Sequence, residues 1–411
     1  MKNLIAVLMV VCVLAVGCIG FLEYKGAADR APVEEPTELI VEQEPDAPAA
    51  TEAQPGDAAE APQVRHVDFD ALYATHEPDE VVLSINGRDV KWDEYFYMLY
   101  SQAKQTESYF DTMAMYYGEA EDWADLTDDE LSYAQAAVEN AEDSLKQVSA
   151  IRGFAEANGV ELTEEDQAAI DGQLQQDIES FCGVGATEEE FYEALKSIYM
   201  TKPLYEQMNQ LNYLYQGGFR TLYGKDCELI SDEQAMQYLA DNGYLRSNHI
   251  LLMTIDPTTY STLDEEQVKE KLATAEKLVQ ELRAIEDPQE RAARFLELKT
   301  EYCEDSGKIA YPEGYTFQPG KMVTEFEEAT KALADYEISD PILTTYGYHV
   351  IMRLPLTVDG TIEYSNEGTP LTARNMLANE EYAQRLQDYL DSLNVSYAEG
   401  FTSPNLLDFV K

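Results

Sequence analysis

Two short segments about a hundred residues apart constrain this chain most. They are Arg246-Ser247-Asn248-His249-Ile250-Leu251-Leu252 and Gly347-Tyr348-His349-Val350-Ile351-Met352. Each reads as a β-strand, with aliphatic residues following a histidine near its start. The chain has only four histidines in 411 residues, so placing two of them alike is a strong restriction. Between the two strands, Asp264 to Ile285 and Gln289 to Glu301 carry the periodicity of amphipathic helices. The implied unit is a sheet whose two principal strands are joined by helices, with an imidazole on each strand. Buried hydrogen bonds through those imidazoles would tie the strands together.

Two further motifs lie in the same interval. Gly320-Lys321-Met322-Val323-Thr324-Glu325-Phe326-Glu327 is followed by Glu337-Ile338-Ser339-Asp340-Pro341-Ile342. Taken in order with the two histidine strands, they resemble the parvulin family of peptidyl-prolyl isomerases over roughly residues 244–355. The resemblance implies a site in which His249 and His349 form a hydrogen-bonded core with an acidic or thiol residue. Asp305 aligns best with that residue, and Cys303 ranks second. Thr344 matches a polar residue beside the second histidine. Met322 and Phe326 match the apolar pocket for the proline ring, although their i, i+4 spacing also suits ordinary helix core. No metal or other cofactor is implied. The chain departs from the family at Tyr311-Pro312-Glu313-Gly314-Tyr315, where Gly314 replaces a pocket-lining leucine, and at Val323, where glutamine is usual. The pocket wall and one polar contact are therefore expected to differ.

Upstream, Val81-Val82-Leu83-Ser84-Ile85 is a strand signal, and Asn86-Gly87 is a strong hairpin turn. The chain is expected to become helical from Trp92. This start resembles the N-terminal chaperone domain of SurA- and PrsA-type foldases. Helices are expected over roughly 93–117 and 128–156, with caps at Thr163, Thr187 and Ser231 opening further ones. Thr369-Pro370 reads as another helix start, with an apolar stripe running to Leu393. The cluster Trp92, Tyr95, Phe96, Tyr97, Tyr100, Tyr109, Phe110, Met113, Met115, Tyr116 and Tyr117 covers all sides of one helix. It reads either as core or as a surface that grips unfolded clients.

The N-terminus has a different character. Lys2 precedes an apolar run from Leu4 to Val16, then Gly17-Cys18, the pattern of a signal peptide. Its end resembles a bacterial lipobox, with Ala15 where leucine is usual, which makes Cys18 the expected lipidation site. The alternative is an uncleaved membrane anchor, because Leu4 to Leu22 is almost long enough to span. Residues 19–65 hold 11 acidic and 3 basic residues and six prolines, a composition that suits an extended disordered tether. Cys182, Cys227 and Cys303 are too few and too scattered for a disulfide framework. With 28 Lys+Arg against 79 Asp+Glu, the net charge of -51 argues against nucleic acid as a partner.

The expectation is an α+β chain: signal peptide 1–18, acidic tether 19–77, helical chaperone domain 78–232, parvulin-like domain 233–356, and a 357–411 segment packing back on the helical domain. By resemblance it is a foldase on the outer face of a bacterial membrane. It would isomerise X-Pro bonds in unfolded or partly folded exported proteins, held to the membrane by an N-terminal lipid, with a homodimer left open. The alternative is an anchored holdase with a catalytically silent parvulin domain. A solute-binding lipoprotein is disfavoured because the repeated α/β pattern of such proteins is absent.

Overall fold

The computed structural model describes residues 64–118, 121–366 and 368–411. The signal peptide, Cys18 and most of the expected tether lie outside the described residues. The architecture is α+β, with helices and antiparallel sheets. Two compact units form, one up to Gly218 and again from Gln384, the other Phe219–Ala383. No described helix is long and apolar enough to cross a membrane.

In the first unit, helix α1 (Phe69–Tyr73) is ordered, with Phe69 and Leu72 buried. The expected tether extended to residue 77, so its last part is folded instead. Asp68 caps α1, and its backbone N–H reaches Phe409 O at 2.8 Å. Strands β1 (Val81–Ile85) and β2 (Arg88–Lys91) form the hairpin, with Asn86 at φ 52° and Gly87 at φ 84°. Two successive positive φ values explain why Asn-Gly stands at this turn. The other edge of β1 takes Val395–Tyr397, making a three-stranded antiparallel sheet.

Helix α2 (Trp92–Tyr117) follows directly. Helix α3 (Tyr133–Ala157) begins five residues later than the sequence predicts, because Ser132 and Gln135 form a capping box there. Helices α4 (Glu164–Cys182) and α5 (Glu188–Leu195) open on the Thr163 and Thr187 caps, and α6 spans Lys202–Tyr223. The aromatic cluster of α2 divides along its length. Trp92, Tyr95, Phe96 and Phe110 are core, whereas Met115, Tyr116 and Tyr117 at the last turn are 75%, 68% and 70% exposed.

In the second unit, Ser231 and Gln234 form the capping box of α7 (Asp232–Asp241). Strand β3 (Leu245–Met253) follows, then α8 (Glu265–Arg283) and α9 (Pro288–Tyr302). Short β4 (Tyr315–Phe317), α10 (Thr324–Ala332) and β5 (Ile342–Leu343) precede β6 (Gly347–Arg353). The sheet order is β4-β3-β6-β5, with every neighbouring pair antiparallel. Beneath one face lie Ile250, Leu252, Val350 and Met352 with Leu278, Leu282, Phe295 and Leu298 from α8 and α9. Against the other face, Phe326 of α10 packs with Leu245, Phe317 and Ile351. Cover on both faces accounts for the near-continuous apolar run of both central strands.

A second helix start also differs from expectation. Pro370 and Leu371 form β8, paired with β7 (Glu363–Tyr364). Helix α11 (Ala373–Asp391) begins after them. The φ of proline suits an extended edge as well as a first helical turn. The cap is supplied two residues later, where Asn375 Oδ1 accepts from Thr372 N at 2.9 Å.

Candidate active site

The strand register brings the two histidines together. His249 pairs opposite Ile351, and His349 opposite Leu251, so both imidazoles lie two positions apart on the same face. Their ring centres are 5.0 Å apart and nearly perpendicular, at 81°. Phe326 of α10 sits under both, at 5.3 Å from His249 and 5.5 Å from His349. The α10 face of the sheet thus carries two buried imidazoles on an aromatic floor.

Each imidazole has a different polar partner. His249 Nε2 lies 3.1 Å from Asp305 Oδ2. Burial disfavours the His249 cation, but the Asp305 carboxylate and the Cys303 thiol beside it outweigh that and raise its pKa. The carboxylate of Asp305 is held well below its ordinary range, by His249 first, with Tyr315 and the Gly307 N–H adding against burial. The hydrogen-bond partner of His349 is neutral, with Thr344 Oγ1 2.9 Å from its Nε2. Burial, reinforced by the charge of His249, pushes His349 down to about 3. The carboxylate partner thus shifts one imidazole toward its protonated form, while burial keeps its neighbour neutral. The Nδ1 of each is buried without a hydrogen-bond partner.

Cys303, the second-ranked thiol, lies in the core beneath the sheet. Its Sγ accepts from Leu251 N at 3.4 Å and faces His249 O at 3.8 Å. The carboxylate that meets His249 Nε2 is that of Asp305. Cys182, Cys227 and Cys303 are all free thiols.

A cavity of about 290 Å³ opens above this floor, lined by the two histidines, Asp305, Met322, Phe326 and Tyr315 among others. The changed loop explains its wall. Gly314 has φ +100°, and a Cβ there would lie 2.4 Å from Ser247 O on β3. Leucine cannot stand at this position in this loop. Tyr315, the next residue, turns its ring toward His249 at 5.5 Å instead. Sequence reasoning did not select Tyr315, nor Lys321 and Tyr346 at the rim. An aromatic residue next to the missing leucine was the available signal for the first.

Residues 249–354 match the family model described as rotamase, the PPIC-type PPIase domain. That stretch is a PPIC-type rotamase domain. The chain is also similar to the foldase protein PrsA of Geobacillus kaustophilus, with 43% identity over 20% of this chain and 28% of that protein. A PrsA foldase of Oceanobacillus iheyensis is 28% identical over 51% of this chain and 61% of its own length. The chaperone SurA of Burkholderia lata is 30% identical over 30% of this chain and 28% of that protein. The chain thus spans between 28% and 61% of the length of these curated relatives.

Proposed function

We propose that this chain is an extracytoplasmic foldase that isomerises X-Pro bonds in exported, incompletely folded proteins and holds them meanwhile. The observation that carries the reading is the histidine pair bracketing Phe326 on the floor of a cavity, inside the rotamase domain. Rotation about a peptide C–N bond faces a barrier of about 18–20 kcal/mol. No nucleophile or cofactor is needed to lower it. The catalyst must hold the proline ring and favour the twisted amide over the planar one. Met322 and Phe326 supply an apolar seat for the ring. His249, Asp305, His349 and Thr344 form a fixed polar surround that replaces bulk water around the rotating carbonyl.

The helical unit, with the C-terminal segment returning to it, serves as the client-holding part of this reading. The pairing of Val395–Tyr397 with β1 supports that assignment. So does the exposed Met115-Tyr116-Tyr117 end of α2, whose soft and aromatic surface suits unfolded segments. Lipidation at Cys18 anchors the chain to the membrane, and the acidic, proline-rich stretch after it serves as a spacer. The Gly17-Cys18 end of the apolar run supports the anchor.

The test uses the purified chain on a short proline peptide, with suppression of client aggregation measured alongside. Wild-type protein accelerates isomerisation above the uncatalysed rate. A rate equal to the uncatalysed one, with aggregation suppression intact, would make the chain a holdase. Separately, Cys18→Ala abolishes fatty-acid labelling, and a wild type that takes up no lipid would exclude the lipid and leave the uncleaved membrane anchor.

A further inference from the structure

The loop 311–315 is braced from two elements. Lys299 of α9 is only 3% exposed, and its Nζ donates to Tyr311 O at 2.9 Å and to Pro312 O at 3.1 Å. Asn248 and Arg246 of β3 add contacts to Pro312 O at 3.4 Å and Glu313 O at 3.5 Å. A buried ammonium is costly unless its protons are taken up, so Lys299 is committed to this loop. An aromatic ladder continues the brace. Tyr315 packs on Tyr311 at 4.7 Å, Tyr311 on Tyr364 at 5.5 Å, and the Tyr364 hydroxyl donates to Ala310 O.

The end of this brace is the Tyr315 hydroxyl, which donates to Asp305 Oδ2 at 2.6 Å. The same oxygen faces His249 Nε2. Space for the hydroxyl is provided by Gly307, where a Cβ would lie 2.1 Å from the Tyr315 hydroxyl oxygen. The Gly307 N–H binds the other carboxylate oxygen at 2.9 Å.

The geometry points to Tyr315 as a positioning residue for the isomerase site: its hydroxyl, admitted by Gly307 and aimed by the braced loop, fixes the Asp305 carboxylate against His249. The kinetic part of this inference rests on the isomerase reading. The ionisable groups around Asp305 are His249 from β3, His349 from β6, Tyr315 from β4, Lys299 from α9, and Cys303 on its own segment. Burial and the Asp305 charge push the Tyr315 phenol up, so it remains a donor at any working pH.

Tyr315→Phe in the full chain keeps the ring and removes the donor. Asp305 then loses a bond to its charged form, so its pKa rises. The acid limb of the isomerisation pH profile moves to higher pH, and the neutral-pH rate falls roughly three- to tenfold. Gly307→Ala, at a position with no left-handed φ, displaces the hydroxyl and moves the limb the same way. The acid inflection is also read from the His249 ring resonances, which need no activity. If the wild type isomerises nothing, the isomerase reading fails and the resonances still decide this one. An unmoved inflection in Tyr315→Phe overturns the inference. Should that variant fail to fold, the inflection in Gly307→Ala decides.

Discussion

The two faces of the β4-β3-β6-β5 sheet solve opposite problems with the same strands. On the α8/α9 face, Phe295, Leu278, Leu282 and Ile250 close a dry core. On the α10 face, the strands carry His249 and His349 over Phe326, beside an open cavity. Period-two alternation assigns each residue to one face, so stability and site chemistry can change separately. Phe295 packs among apolar side chains and the Cys303 thiol, while the open face joins His249, Asp305 and Tyr315 in one hydrogen-bonded network. A chain built this way tolerates a changed loop at the site without losing its sheet.

The sharpest way to break the comparison is to damage the closed face alone. Phe295 is fully buried, and Phe295→Ala is expected to destabilise by about 3–5 kcal/mol through transfer loss and a cavity. Chemical denaturation should show that loss, while the rate per folded molecule stays near wild type. An equal loss of rate and stability would mean that the faces are coupled.

A smaller effect separates the faces by pH. His349 is depressed in the folded protein, so its contribution is present above its unfolded value of about 6.5 and is lost as pH falls toward about 3. Asp305 is also depressed, and its contribution goes at still lower pH. His249 is raised, so its contribution is full below about 6.5 and is lost as pH rises through its folded value. Thermal stability should therefore decline on acidification below about pH 6.5, and His349→Gln should flatten that slope. A slope unchanged in His349→Gln would place the acid sensitivity elsewhere.

The smallest expected effect is at Thr344. Thr344→Val removes the hydroxyl 2.9 Å from His349 Nε2 and should cost about 1–3 kcal/mol, because the ring nitrogen is left buried and unpaired. The same substitution leaves the closed face untouched. A neutral result would show that water reaches His349.

Much of this was legible because it is local. The Asn86-Gly87 turn, the caps at Thr163, Thr187 and Ser231, and the two histidine strands each need only a few neighbouring residues to declare themselves. What was not legible depends on contacts across the chain. α1 lies next to a proline-rich, acidic stretch, and only the return of the C-terminus to Asp68 reveals its burial. The aromatics of α2 point all around the helix, and sequence alone does not say where the cover ends. Lys299 reads as a solvent-facing helix residue, yet it is buried because two loop carbonyls await it. Tyr315 reaches Asp305 only because Gly314 turns the chain and Gly307 leaves room.

The most direct test of the account compares Phe326→Ala with wild type on a short proline peptide, per folded molecule. Phe326 is the floor shared by both histidines. Losing a buried phenylalanine contact of about 1.5–3 kcal/mol corresponds to a fall of roughly ten- to a hundredfold in kcat/KM. The account predicts that fall, with the His249 and His349 ring resonances still titrating as a pair. Wild-type rates in Phe326→Ala would contradict it, because proline would then be held somewhere else.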